Sequence, residues 1–126
     1  MNNKKLSIIL PVFNEKESLL IMVRLLNSSL KTDTEIIIVH DSLNDNSLES
    51  ANILINEYEN VQLVHNKIGP GVKNAIQAGV DKSKNEIILI TAVDEIFPII
   101  SIEKMLEEIL NKNYDFISGT RYSKGG

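Results

Sequence analysis

Five short apolar runs punctuate the chain, at Leu6–Val12, Glu35–His40, Val61–His65, Glu86–Ala92 and Asp115–Gly119. They are rich in Ile and Val and mostly continuous rather than alternating, as in strands buried on both faces of a parallel sheet. Stretches of helical period separate them. Leu19, Val23, Leu26 and Leu30 share one helical face, with Asn14 placed to cap the helix and Glu17 three residues on. Leu48, Ala51, Ile55 and Tyr58 make a second face, opened by Asn46 and Glu49. Val72, Ile76 and Val80 predict a third helix after Gly69-Pro70-Gly71. Ile102, Met105, Leu106, Ile109 and Leu110 predict a fourth, with Ser101 as its cap. Strand and helix alternate throughout, which predicts a right-handed, doubly wound, mainly parallel α/β sheet. Leu6–Val12, Ile36–Val39 and Ile87–Ile90 are expected among its central strands.

The length of 126 residues suits a single domain spanning 1–126, large enough to bury a core without staples. With no cysteine, disulfides, thiol catalysis and zinc-finger or iron–sulfur chemistry are excluded. A net charge of −4, no Trp and no basic stripe argue against a nucleic-acid partner. No apolar run approaches the ~20 residues of a membrane span, and the basic start has no cleavage signal after it. These features read as a cytoplasmic domain.

In an open α/β sheet, ligands bind beyond the carboxyl ends of the strands. The segments following the strands there are Pro11-Val12-Phe13-Asn14-Glu15, His40–Asp45, His65–Asn74, Thr91–Glu95 and Gly119–Tyr122. They gather acidic, amide and basic groups, whereas Lys31–Thr34, Lys82–Asn85 and Asn111–Tyr114 at the other edge read as ordinary polar turns. No G-x-x-x-x-G-K-[ST] loop is present, and Gly69-Pro70-Gly71-Val72-Lys73-Asn74 is a poor dinucleotide fingerprint because Asn replaces the third glycine. Its glycines still permit an anion to approach a helix start, with Lys73 beside it; an ordinary loop leading into a helix explains the same residues.

Read together, these loops resemble family 2 glycosyltransferases of the GT-A fold. Ile8-Ile9-Leu10-Pro11-Val12-Phe13-Asn14-Glu15 is similar to the family's opening strand, whose Pro-x-(Tyr/Phe)-Asn-Glu turn borders the nucleotide. Val39-His40-Asp41-Ser42-Leu43-Asn44-Asp45 sits where the family has Asp-Asp-Gly-Ser-x-Asp, and Gly69–Gly79 resembles its G-x-G-x-A-x-N-x-G-type segment. Glu86–Glu95 resembles the strand leading into the DxD-like metal motif. Gly119-Thr120-Arg121-Tyr122-Ser123-Lys124-Gly125-Gly126 is close to the Gly-Ser-Arg-Tyr-x-x-Gly-Gly segment of dolichyl-phosphate mannose synthases and related polyprenyl-phosphate sugar transferases.

The resemblance implies the donor-binding front part of a longer transferase, at the cytoplasmic membrane face. Its donor is a GDP- or UDP-sugar, its acceptor a polyprenyl phosphate or a cell-surface glycan, and its cofactor Mg²⁺ or Mn²⁺. Pro11, Phe13, Asn14, Glu15, Asp41, Lys73 and Arg121 are the implied donor-binding residues. Asp41 is placed to accept hydrogen bonds from base or ribose, or simply to form a turn at the helix entry. Arg121 suits a bidentate phosphate contact.

The departures matter as much. His40 replaces the first acid of the second motif, and Ser42 and Leu43 its Gly-Ser. At the metal motif one alignment sets Thr91 and Val93 at the two acids, which abolishes metal binding; another matches Asp94 and Glu95 to a shifted acid pair. A degenerate nucleotide-binding module without turnover is therefore the alternative to an active transferase. A phosphorylation receiver of similar length is disfavoured, since Asn14-Glu15 and His65-Asn66 stand where it needs its acids.

Overall fold

The computed structural model describes residues 5–31 and 33–93, together with Lys104, Glu107 and Glu108. Four strands form one parallel sheet: β1 (Lys5–Pro11), β2 (Asp33–His40), β3 (Val61–His65) and β4 (Ile87–Ile90). Their order is β3-β2-β1-β4. β1 is paired on both sides, with Ile8 opposite Ile36 and Leu89, and Ile9 opposite Ile37 and Ile90. Helices α1 (Lys16–Ser29), α2 (Ser47–Glu57) and α3 (Val72–Lys82) are the crossovers.

The continuous Ile/Val runs are explained by helices on both faces. Leu6, Ile8, Leu10, Ile36 and Ile38 point into a core shared with α1 and α2. Ile9, Ile37 and Val39 point the opposite way, onto Ala75 and Ala78 of α3. Every one of these strand residues is essentially solvent-free. The expectation of central strands holds for β1 and β2. β4 lies at the end of the described sheet, where Ile87, Ile88 and Ile90 are only half-buried.

α1 buries Leu19, Val23 and Leu26 as expected, and Met22 with them. The other two helices are rotated relative to the apolar periodicity. α2 buries Ser47, Ser50, Ala51 and Leu54 and leaves Ile55 exposed. α3 buries Ala75, Ala78 and Gly79, while Val72 is 64% exposed. Close approach decides the α3 face. A Cβ on Gly79 would sit 2.7 Å from Ile9 Cγ2 and 3.1 Å from Val39 Cγ2, so α3 lies on the sheet at a distance only glycine permits.

The caps also differ from expectation. α1 starts at Glu15, with Asn14 at φ 51°, a left-handed conformation that Asn tolerates better than most residues. Asn14 and Glu17 form no capping box; the N–H groups of Asn14, Glu15 and Lys16 are met from the start of α2, as described below. Asn46, at the start of α2, likewise makes no side-chain cap on its own helix. The fifth strand, Asp115–Gly119, lies outside the described residues. Of the fourth helix, Lys104, Glu107 and Glu108 are helical and exposed, opposite in phase to the predicted apolar face.

Candidate functional site

The loops following β1, β2 and β3 are tied together by side chains, and the ties run along the carboxyl edge of the sheet. Asp45 Oδ1 accepts from the backbone N–H of Asn14 at 2.8 Å and from that of Ser47 at 2.8 Å. Ser47 Oγ accepts from Glu15 N–H at 2.7 Å, and Asn46 Oδ1 from Lys16 N–H at 3.2 Å. In return Asn46 N–H donates to Asn14 Oδ1 at 3.0 Å. The start of α1 is thus capped by residues some thirty positions away, at the start of α2. Asp45 is 6% exposed, and its Oδ2 is buried without a hydrogen-bond partner among the described residues.

The second set of ties centres on Asp41. Its carboxylate accepts from Asn66 Nδ2 at 2.7 Å and from the Gly71 N–H at 3.4 Å, and its carbonyl from His65 Nε2 at 3.1 Å. His40 Nδ1 donates to the Ser42 carbonyl at 3.1 Å. A carbonyl only accepts, so in these bonds His40 Nδ1 and His65 Nε2 are the nitrogens that carry the hydrogen. His40 and His65 are paired in register.

Between these ties lies a cavity of about 220 Å³ lined by Pro11, Val12, Phe13, Glu15, Asp41, Val72 and Ala75. Its walls come from the end of β1 and the loop after it, the residue following β2 and the first turn of α3. Four of the expected donor-binding residues therefore share one cavity: Pro11, Phe13, Glu15 and Asp41. Phe13 is 74% exposed at its mouth. Asn14, the fifth, faces the α2 start and binds the loops together instead. Lys73 sits exposed in the first turn of α3, a helix with no side-chain cap and no acid in that turn. Lys73 and the positive end of the α3 dipole there lie at the same helix start as the Asp41 carboxylate, which accepts from the Gly71 N–H, whereas Lys16 N–H at the start of α1 is met by Asn46.

A larger hollow, about 490 Å³, lies at the opposite edge, among Asp33, Glu35, Glu59, Lys82 and Lys84. Its chemistry serves the fold. The buried Ser7 hydroxyl donates to Glu35 Oε2 at 2.6 Å, and Lys84 N–H reaches the same oxygen at 2.6 Å. Among the described residues no helix starts there, so the smaller cavity is the better site despite its size.

Asp94, Glu95 and Arg121 lie outside the described residues. The positions just before them bear on the two alignments of the metal motif. Thr91 is 5% exposed and Val93 is fully buried in the core shared with α1 and α2, so Val93 offers no ligand. Among the described residues no three His, Cys, Asp or Glu side chains come together to hold a metal. Nor is any helix among them long and apolar enough to cross a membrane. Sequence reading assigned no role to Asn66, Asp45 or Ser47. Asp45 stands at the last acid of the second family motif, and Asn66 directly follows a predicted strand; Ser47 had no such signal.

Comparisons with known proteins bear on the family and the fold. The model of a family described as Glycosyl transferase family 2 matches residues 7–126. The chain is 29% identical over 123 residues to the dolichol-phosphate mannosyltransferase of Pyrococcus furiosus, covering 97% of this chain and 34% of that protein. It is 32% identical over 123 residues to an undecaprenyl-phosphate 4-deoxy-4-formamido-L-arabinose transferase of Yersinia enterocolitica, covering 94% and 37%. The chain thus spans about a third of the length of these relatives. Among solved structures, a mannosyltransferase from Pyrobaculum calidifontis in complex with GDP-Man and Mn²⁺ superimposes with a TM-score of 0.65 at 17% identity, over 74% of this chain and 28% of that one. Glucosyl-3-phosphoglycerate synthase from Mycobacterium tuberculosis, with Mn²⁺ and UDP, gives 0.69 at 16%, over 86% and 40%. The fold is GT-A, as expected.

Proposed function

Because the chain belongs to glycosyl transferase family 2, we propose that it is the donor-binding part of an enzyme that moves a sugar from a nucleoside diphosphate to an acceptor. The observation that carries this reading is the cavity on which Pro11, Phe13, Glu15 and Asp41 converge beside the start of α3. Asp41 is its base- or ribose-reading group: an exposed carboxylate can accept from the ring N–H of uracil or guanine, which adenine and cytosine lack. Phe13 supplies a flat apolar surface for the base. Lys73 and the first turn of α3 offset the charge of the diphosphate, and Arg121 adds a fork for phosphate.

The acid pair Asp94-Glu95 has the right chemistry for Mg²⁺ or Mn²⁺, since hard cations take carboxylate oxygens and share them with substrate phosphates. When bound, the metal supplies charge stabilisation for the departing diphosphate. The buried Val93 favours the alignment that assigns this role to Asp94. The names of the relatives support a polyprenyl phosphate as acceptor; a cell-surface glycan is the other candidate, and the cytoplasmic face of a membrane is the proposed place of reaction. A phosphate acceptor is already ionised and needs no general base.

A second reading, nucleotide binding without turnover, is favoured by one observation. His40, 4% exposed and turned into a ring stack, stands where the family carries an acid. The experiment is calorimetric titration with GDP, UDP, ADP and CDP in the presence of Mn²⁺, followed by turnover assays on GDP- and UDP-sugars. Preference for GDP or UDP supports a donor site, and sugar transfer then separates enzyme from module. Equal or absent binding of all four nucleotides would overturn the proposal.

A further inference from the structure

We propose that Asn66 is a positioning residue for the nucleotide, holding the Asp41 carboxylate and the Gly69–Gly71 turn in the arrangement that forms the carboxyl-edge cavity. The inference rests on the donor-binding reading above. Asn66 follows the last residue of β3, and its backbone N–H donates to the His40 carbonyl at 2.8 Å, one step beyond the paired strands. Main-chain pairing therefore fixes where its side chain starts. It is 6% exposed.

From that buried position the side-chain amide is fully engaged. Nδ2 donates to Asp41 Oδ1 at 2.7 Å and to the Gly69 carbonyl at 2.7 Å. Oδ1 accepts from Ile68 N–H at 3.0 Å. One side chain thus ties the loop after β2 to the turn that starts α3. Asp41 is exposed, and an exposed carboxylate on a loop would ordinarily sample several rotamers. Here one oxygen is held by Asn66 and the other by the Gly71 N–H at 3.4 Å, which leaves the remaining lone pairs for a ligand in the cavity. Gly71 adopts φ 107°, a conformation open to glycine, and so lets the chain present that N–H.

The chemistry is particular to an amide. A shorter Ser would not span both partners, and Ala would leave Asp41 Oδ1, Gly69 O and Ile68 N–H unpaired. Asp would set a second carboxylate against that of Asp41, and two carboxylates at that separation do not both ionise readily. This last property supplies the test.

Asn66→Asp and Asn66→Ala are compared with the unaltered chain for GDP and UDP affinity between pH 8 and pH 5.5, alongside melting temperature. Asn66→Asp is expected to bind roughly ten-fold or more weakly at neutral pH, the effect of unmaking a charged hydrogen bond. Part of that loss returns on acidification, as one proton shared by the two carboxyls restores a donor–acceptor pair. Asn66→Ala loses affinity without recovery at low pH. A variant that melts lower yet binds with unchanged affinity at every pH overturns the proposal, because Asn66 would then be structural only. Should Asn66→Asp fail to fold, the side-chain amide resonances of Asn66 in the unaltered chain decide: they shift on nucleotide addition if the proposal holds and stay put if it fails. If the unaltered chain binds no nucleotide, the donor reading itself falls; binding by the unaltered chain with equal binding by Asn66→Asp defeats this inference alone.

Discussion

His40 and His65 stack face to face at the ends of β2 and β3, with ring centroids 4.7 Å apart and planes 9° from parallel. They are opposite one another in the parallel register, so the strand pairing itself aligns the rings. Each ring then donates to a carbonyl of the Asp41–Ser42 turn. The stack therefore fixes the backbone from which Asp41 projects. His65→Ala removes the stacking partner and leaves the Asp41 carbonyl unpaired, which should lower stability by about 1–3 kcal/mol. Urea unfolding checks the magnitude. Nucleotide affinity should fall with it, because the turn loses one of its anchors.

Gly79 provides an independent check on the packing of α3. A methyl group there would enter Ile9 at 2.7 Å and the neighbouring Val39 side chain at 3.1 Å. Gly79→Ala normally favours a helix, by up to ~1 kcal/mol. In this position overpacking, which typically costs about 1–3 kcal/mol, should outweigh that gain. Thermal denaturation is expected to show a lower midpoint. A raised midpoint would mean that α3 does not lie so close to β1 and β2.

That close approach also explains what the sequence concealed. Runs such as Ile36–Val39 announce a strand buried on both faces, and the alternation of runs with helical periods announces the doubly wound order. Apolar periodicity misplaced the inner faces of α2 and α3 because those helices pack through Ser47, Ser50 and Ala51 and through Ala75, Ala78 and Gly79. Small residues carry little hydrophobic signal, yet they allow the tightest contact. The capping of α1 was hidden for another reason. Ser47 and Asn46 reach Glu15 and Lys16 across the fold, and no local window contains both partners. The carboxyl-edge cluster of Pro11, Phe13, Glu15 and Asp41 was legible because topology alone sends strand ends to one edge. Asn66 was not, because its role depends on hydrogen bonds that appear only when β2 and β3 are paired.

On the far side of the molecule, Arg24 and Glu57 link α1 to α2 through a two-bond pair, Nε to Oε1 at 3.2 Å and Nη2 to Oε2 at 2.6 Å. The Arg24 hydrogen bond holds the Glu57 carboxyl below the usual glutamate range. A carboxyl lowered by folding adds stability above its unfolded pKa and loses it as pH falls through the folded value. The pair is solvent-exposed, so the effect is small and screened by salt. Glu57→Gln should therefore change the melting temperature little at pH 7 and still less below the glutamate range. A large loss confined to acid conditions would contradict the assignment.

The metal motif gives a sharper contrast. With Asp94 as a ligand, the affinity for GDP or UDP depends on Mn²⁺ or Mg²⁺, and Asp94→Asn abolishes most of that dependence by removing charge while keeping shape. Titrations with and without EDTA measure it. Metal-independent binding together with a silent Asp94→Asn would shift the account to the degenerate module.

In the proposed function the carboxyl-edge cavity holds the nucleotide of a sugar donor, with Asp41 reading the base or ribose. Calorimetric titration of the unaltered chain and of Asp41→Ala with GDP and UDP in Mn²⁺ tests it most directly. Removing Asp41 deletes the ligand's acceptor and leaves Asn66 Nδ2 without one of its partners. Binding by Asp41→Ala is expected to be weaker by about 1–3 kcal/mol, roughly five-fold to a hundred-fold, with the fold intact by circular dichroism. Equal affinity in the two proteins would contradict it.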